Sequence, residues 1–537
     1  MTRASALPTL AGAYALALLA GLLSLWVTGA WISGFSGADE PAHFLNSWFV
    51  SAYVSDALGQ NPLAYATEFY LHYPKISIGH WPPAFYALAA PVFWIAPATP
   101  QTAMAINLVA AALPAIGVAA LLLRISGKAA ALGGALLWAL TPLALEGHAF
   151  FMLDQPLAAC AIGAAIAWAA FAERQTWTRI LLFAALTALA ILIKGNGWLL
   201  VLLPAFYIVL TGRWDLLRSP KLWLGAGAGL LPVVPWYAAT AGISADGSNY
   251  EPGLAYAALS LSKNFTALVA NVGVLGLLLA LIGAASAWRR RREAETGWNT
   301  VAACVALILA TLALQAVVPV DLDPRYMAPA LPAVIVLAVL GATVLARALT
   351  AKRRWAAAPL LLLALPGAAH LATREPKADL RMEEAARIAA AGGADEAWLI
   401  DGGSGAEGAF VAAMAVRDQA LRRYTVRASK LLAESDFMGN SYRLRFTNAA
   451  AAAVEMRRLG LAGVVVADRP GVEEFAHRPL LTAALAARSS GYRLVAELPH
   501  GGRAGVTRIY RATQGTVADA EAIRALGVPE KAKLAAK

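Results

Sequence analysis

The sequence predicts a polytopic α-helical membrane protein with a C-terminal extracytoplasmic α/β domain, and three observations predict it. The 537-residue chain is 59% hydrophobic and only 14% charged. Its mean hydropathy is +0.59, with apolar runs of about the length that crosses a bilayer recurring through the first two thirds. After about Thr373 these runs stop, and short strand patterns (Ala397 to Ile400, Tyr424 to Arg427, Tyr442 to Phe446, Gly463 to Val466, Leu494 to Glu497 and Thr507 to Tyr510) alternate with Ala-rich helical ones ahead of a polar tail, Val528 to Lys537, expected to fray.

Apolar runs bounded by charge give about eleven transmembrane helices. Their limits are Leu7 to Ile32, Thr102 to Leu123, Ala129 to Leu145, Pro156 to Phe171, Ile180 to Ile193, Trp198 to Leu210, Leu222 to Thr240, Phe265 to Trp288, Trp298 to Pro319, Tyr326 to Leu345 and Trp355 to Leu371. The first run follows only Arg3 and is about twice the length of a signal-peptide core, which reads as a retained anchor. Pro82 to Pro97 is short and broken by Pro83 and Pro91, so it is expected to lie at the interface or re-enter. The turn Lys194-Gly195-Asn196-Gly197 is read as separating two short crossings.

The net charge of +11 does not point to nucleic acid, because the basic residues cluster between spans. With a cytoplasmic N-terminus, one set of loops holds Arg124, Lys128, Arg174, Arg179, Arg213, Arg218, Lys221, the run Arg289 to Arg292, Arg347 and Lys352 to Arg354. The opposite loops hold Lys75, Lys194, Lys263 and Arg325. That asymmetry is the positive-inside pattern and predicts a multi-pass protein of the inner (plasma) membrane. Cys160 and Cys304 both sit in apolar runs, where thiols act as small hydrophobes, so neither a disulfide framework nor a metal spacing follows.

This sidedness places Asp39, Glu40, Lys75, His80, Asp154, Lys194, Asp321, Asp323 and Arg325 on one face, opposite the cytoplasm. Ionisable groups at a membrane rim are functional candidates. Asp39 and Glu40 follow the first span and precede Pro41. They suit a helix N-terminus, and also a general base whose pKa an apolar rim would raise. His43 shares a helix face with Asp39, but two ligands do not make a metal site. Asp154, two residues before Pro156, reads equally as a helix cap or a second acid. Lys75, His80 and Trp81 lead into the proline-rich segment, as an aromatic belt with a snorkelling lysine or as a shelf for a lipid phosphate. Lys194 and Arg325 extend the second reading, while Asp321 and Asp323 can simply pair with Arg325. Gly403-Ser404-Gly405-Ala406-Glu407-Gly408 matches a dinucleotide fingerprint by spacing. The next strand, Tyr424 to Arg427, lacks the ribose-binding acid, so a tight glycine turn is expected instead.

In this order, the acidic pair, the Pro-Pro-aromatic shelf, the Leu153-Asp154-Gln155-Pro156-Leu157 element, the Lys194-Gly195 turn and the segment Arg325, Tyr326, Pro329, Leu331, Pro332 resemble the GT-C glycosyltransferases. The resemblance is to the bacterial branch with the protein O-mannosyltransferase and aminoarabinose transferase families. It covers about Leu7 to Thr373. It implies a catalytic membrane domain over residues 1–373, with an external loop over 33–101 carrying juxtamembrane helices, and a separate α/β domain over 374–537. It further implies an inverting hexosyl- or pentosyltransferase, with a polyprenyl-phosphate sugar as donor and an extracytoplasmic acceptor hydroxyl on a lipid, a glycan or, less favoured, a protein. By position Asp39 is the expected base, Glu40 its neighbour and Asp154 the second acid. Lys194, Arg325, His80, Lys75, Tyr326, Trp81 and His43 are the expected donor-phosphate or substrate contacts. Many relatives carry Lys-Pro-Pro where this chain has Trp81-Pro82-Pro83, which puts the shelf's phosphate ligand in question and suggests a stacking role for Trp81. Metal use varies in that fold, and the sequence decides neither for nor against a divalent ion. The competing function is a transporter or flippase of a polyprenyl-linked glycan. Transporters place ionisables near the midplane and repeat their spans, whereas here the charges gather at one rim without a second acidic pair.

Overall fold

The computed structural model describes residues 3–77, 79–244, 248–293, 295–348, 362–418, 420–435, 439, 441–471, 475–487 and 491–527. The chain opens with α1 (Arg3–Thr28), whose apolar sequence carries it through some seven turns. Two further helices follow, α2 (Glu40–Asp56) and α3 (Pro62–His72), and then the short α4 (Ala84–Ala89). The apolar bundle continues with α5 (Pro100–Ala111), α6 (Pro114–Ile125), α7 (Lys128–Ala139), α8 (Pro142–Ala149), α9 (Asp154–Glu173), α10 (Trp177–Ile193) and α11 (Leu199–Thr211). It ends with α12 (Pro220–Leu230), α13 (Val233–Ser244), α14 (Leu254–Arg289), α15 (Glu295–Val317), α16 (Leu331–Ala348) and α17 (Leu365–Thr373). Proline opens many of these helices because its missing N–H is one the first turn leaves unpaired anyway. Asn61, Thr99 and Thr141 accept from the amides of the first turn.

Among the described residues five helices are long and apolar enough to cross a membrane, or up to seven if each of two bent pairs is one span. The bends are 60° between α7 and α8 and 50° between α12 and α13. The expected helices are therefore nearly all present, but length and composition alone do not make eleven crossings. Proline and glycine interrupt the runs: Pro142 restarts the chain after α7, α10 and α11 are apolar but shorter than 18 residues, and the apolar stretch of α16 is only Leu331–Arg347. Of the expected span Trp355 to Leu371, residues 355–361 lie outside the described residues and the rest leads into α17, while the tail Val528 to Lys537 lies outside them altogether. Pro82 to Pro97 forms only the short apolar stretch Ala84–Trp94. The helix bearing Lys263 starts at Leu254, so this lysine is exposed on α14 rather than in a loop.

Small residues let the helices close on one another. A Cβ on Gly341 would lie 1.9 Å from the Leu279 carbonyl oxygen, and one on Gly283 would lie 2.2 Å from that of Leu337, so α14 and α16 cross backbone to backbone. Gly273, at φ +71°, breaks α14 below this crossing.

Beyond α17 comes α18 (Met382–Ala390), then a five-stranded sheet in the order β2-β1-β5-β7-β6. β1 (Ala397–Asp401) pairs in parallel with β2 (Tyr424–Arg427) and β5 (Leu461–Asp468), while β7 (Val506–Ala512) is antiparallel to β5 and β6 (Tyr492–Pro499). Leu399 lies opposite Val426 and Val464, and every residue of β1 is buried, as expected for a central parallel strand. The expected strand Tyr442 to Phe446 is only β4 (Arg443–Leu444), paired with β3 (Ala433–Glu434). The other predicted strands are present. Between sheet and bundle lies α19 (Gly403–Ala415), buried from Gly405 to Ala415 because it packs on β1 and on α2 at once. Its glycines serve this approach. A Cβ on Gly405 would meet the Ser36 carbonyl oxygen at 2.4 Å, and one on Gly408 would meet Pro41 and Lys75 at 2.7 Å. The turn before the helix uses Gly402 and Gly403 at φ +155° and +77°.

Candidate active site

Asp39 and Asp154 begin two different helices, and neither caps the helix it introduces. Leu153, not Asp154, holds the N-cap position of α9, and Asp39 at the N-cap of α2 makes no side-chain capping bond. Their carboxylates are drawn to cations instead. Arg325 Nη1 lies 3.0 Å from Asp39 Oδ2, and Lys194 Nζ donates to Asp154 Oδ1 at 2.6 Å. Arg325 follows Asp323, whose Oδ1 accepts from the Arg325 amide at 2.9 Å and whose Oδ2 lies 3.3 Å from Nε. That second contact is an ion pair without hydrogen-bond geometry. Asp321 instead accepts from the amide of Leu322. Tyr326 lies between the two cations, its ring centre 4.8 Å from Lys194 Nζ and 5.7 Å from the Arg325 guanidinium. Two acids, two bases and an aromatic face, separated by up to 286 positions from Asp39 to Arg325, thus converge. Asp154 Oδ2 is buried without a hydrogen-bond partner, which leaves one acceptor oxygen of this cluster unused.

The sequence argument expected the apolar rim to raise the Asp39 carboxyl. Burial does push it upward, but Arg325, followed by His43 and Lys75, outweighs burial and holds it below the ordinary carboxylate value. His43 is buried, shares a 2.8 Å hydrogen bond between Nδ1 and the Tyr86 hydroxyl, and packs on Trp81 with ring centres 4.5 Å apart. Burial lowers its pKa to about 3, more than Asp39 can restore, so the ring is neutral at ordinary pH. Trp81 therefore supports His43. His80 lies half-buried in the turn just before it.

Glu40, expected as the neighbour of the base, and Lys75, expected as a substrate contact, bond outside the Asp39–Arg325 and Asp154–Lys194 pairs. Glu40 is fully buried and faces away from Asp39: Oε2 accepts from the amides of Ser36 and Gly37 at 3.0 and 2.9 Å, and Oε1 from Phe151 at 3.1 Å and from Lys377 Nζ at 2.6 Å. Consecutive residues at a helix start point about 100° apart, so one acid faces the mouth and the other the core. Lys75 runs along α19, and its Nζ donates to the Ser404 carbonyl at 3.4 Å. Burial, reinforced by Arg427, brings its pKa to about 7 despite Asp39 and Glu407. Sequence reasoning missed Lys377, Tyr86 and Met152, whose sulfur lies 3.9 Å from Arg325 Nη1. Only Lys377 left a trace, as a lysine just past the last apolar run.

Asp401, Glu407 and His477 are the one metal-capable group among the described residues, with ligand atoms within 4.8 Å of one another. Arg478 pairs with Asp401, Arg427 with Glu407 at 2.7 Å, and Ser429 donates to Glu407 at 2.6 Å. With two guanidiniums already on its carboxylates, this group does not fit a cation.

The apolar helical bundle with its C-terminal α/β region has the GT-C fold of a multi-pass membrane protein. The family model described as dolichyl-phosphate-mannose-protein mannosyltransferase matches residues 80–238, which hold Trp81, Asp154 and Lys194. ArnT from Cupriavidus metallidurans in the apo state is similar in fold, with a TM-score of 0.56 at 14% identity over 95% of this chain and 98% of that one. The same protein bound to undecaprenyl phosphate gives a TM-score of 0.57 at 14% identity over 92% and 96%. No curated protein sequence matches the chain.

Proposed function

We propose that the chain transfers a sugar from a polyprenyl-phosphate carrier to an acceptor hydroxyl, with inversion at the anomeric carbon and with Asp39 as the general base. The observation that carries this reading is the cluster itself: Asp39 joined to Arg325, Asp154 to Lys194, and Tyr326 between them. A second support is the solved relative that binds undecaprenyl phosphate. In the reaction the acceptor oxygen bonds to the anomeric carbon as the bond to the phosphate oxygen breaks. The electron pair leaves with the phosphate, and the hydroxyl proton passes to Asp39. Lys194 and Arg325 hold the phosphate and stabilise the charge it gains. A phosphate that engages Arg325 also loosens its hold on Asp39, so donor binding raises the basicity that the resting ion pair suppresses. Asp154, through its unpartnered oxygen, orients the acceptor hydroxyl. Lys75, at the edge next to α19, meets the acceptor.

The asymmetry of the basic loops supports a mouth outside the inner membrane and an N-terminus in the cytoplasm, and in this reading residues 374–537 form a separate domain that shields or selects the acceptor. The test is transfer by membrane-reconstituted protein from a panel of polyprenyl-phosphate sugars. Asp39→Asn is expected to lower turnover by about 10²- to 10⁴-fold with the fold retained. Wild-type turnover in that variant overturns the assignment. Transbilayer movement of the labelled carrier without any acceptor would identify a flippase instead.

A further inference from the structure

Lys377 lies outside every element assigned to transfer, in the lead-in between α17 and α18, yet its side chain is 1% exposed and it holds three segments together. Its Nζ donates to Glu40 Oε1 at 2.6 Å and to the Ala149 carbonyl at 3.0 Å, and lies 4.7 Å from the centre of the Phe150 ring. Its amide donates to the Thr28 carbonyl at 2.7 Å, at the end of the first span. Two residues on, Asp379 and Gly501 exchange backbone hydrogen bonds, which ties the same stretch to the loop joining β6 and β7. Glu40 spreads this one cation to both acid-bearing loops. It binds the amides of Ser36 and Gly37, just before Asp39, and the amide of Phe151, three residues before Asp154.

We propose that Lys377 is a positioning residue for the transfer reaction: through Glu40 it fixes the spacing of Asp39 and Asp154, and it makes that spacing depend on the seating of the C-terminal α/β domain. Resting on the function proposed above, this assigns the Glu40–Lys377 pair to holding the reacting carboxylates in place, and not to contact with the sugar or phosphate. A carboxylate that accepts four hydrogen bonds has no free lone pair of useful geometry for a substrate. Breaking the pair leaves an uncompensated buried charge at the point where the loops meet. A misplacement of about 1 Å at the reacting groups is enough to cost on the order of 10²-fold in rate.

The experiment uses the full chain in nanodiscs and compares wild type, Lys377→Met and the charge-neutral double variant Glu40→Gln/Lys377→Met. Hydrogen exchange is read in the segments 33–39 and 149–153, and kcat and donor KM are measured per folded molecule. The expected result for Lys377→Met is faster exchange in both segments together, with kcat lowered at least 30-fold and donor KM within threefold. Should that variant fail to fold, the double variant is held to the same criterion. Faster exchange confined to residues next to 377, or a kcat within threefold of wild type, overturns the proposal. The exchange readout needs no turnover. Wild-type protein that transfers no sugar therefore removes the proposed function, while joint loosening of the two segments still upholds the link through Lys377.

Discussion

The Lys194–Asp154 pair offers the most direct test of how the site is held. The two side chains are 11% and 6% exposed and lie 2.6 Å apart. At an effective dielectric of about 20, unit charges at this spacing attract by about 6 kcal/mol before the cost of desolvation is counted. Lys194→Met leaves Asp154 buried, with neither oxygen hydrogen-bonded by a side chain, and such a removal typically costs roughly 3–5 kcal/mol. Asp154→Asn strands the lysine at a similar cost. The double variant removes both charges, and the two losses are expected to fall short of additivity by about 2–4 kcal/mol. The assay is denaturant unfolding of the four proteins in nanodiscs, with binding of polyprenyl phosphate measured alongside. In the folded fraction, Lys194→Met should weaken binding at least tenfold if Nζ is one of the two charges that hold the phosphate, as proposed. Additivity within about 0.5 kcal/mol, together with unchanged binding, would show that the pair neither stabilises the bundle nor serves the ligand.

Further outcomes follow from the same geometry. Gly405→Ala places a methyl 2.4 Å from the Ser36 carbonyl oxygen and should cost about 1–3 kcal/mol as overpacking, read as a lower unfolding midpoint and reduced transfer. Lys75, at about 7 when folded against an ordinary 10.5, is neutral in the folded chain and charged in the unfolded one between those values. Stability should therefore rise with pH across that window, and unfolding of Lys75→Met should lack this slope. Asp39 has the same sign at lower pH: its depressed folded value contributes stability above 3.8 that is lost as pH falls through the folded value, and Asp39→Asn should remove that acid limb.

The apolar runs, the strands after Thr373 and the convergence of Asp39, Asp154, Lys194 and Arg325 were legible because bilayer length, side-chain period and charge asymmetry are written locally. Pairings were not. Asp39 and Glu40 are adjacent and chemically alike, and only the rotation of the helix start separates the one facing Arg325 from the one buried against Lys377. The direction of the Asp39 shift was misjudged because the rim was read as apolar, whereas a guanidinium 286 residues away lies 3.0 Å from the carboxylate. Trp81, read from sequence as a stacking residue, packs on His43, which bonds to a tyrosine 43 positions further on, a neighbour no local pattern reveals. The glycine fingerprint, read as a turn, is one only at Gly402 and Gly403; Gly405 and Gly408 lie within α19 and make room for Ser36, Pro41 and Lys75, which no local pattern reveals.

The backbone crossing of α14 and α16 has a consequence for the rim. Gly341 sits ten residues along α16 from Leu331, so about 15 Å of rigid rod joins it to the segment that presents Arg325. A methyl group at 341 has no room beside the Leu279 carbonyl, and the rod would tilt before the fold yielded. The guanidinium would then swing away from its carboxylate by a lever, and a fault in the hydrocarbon interior would register as a loss of chemistry at the water's edge.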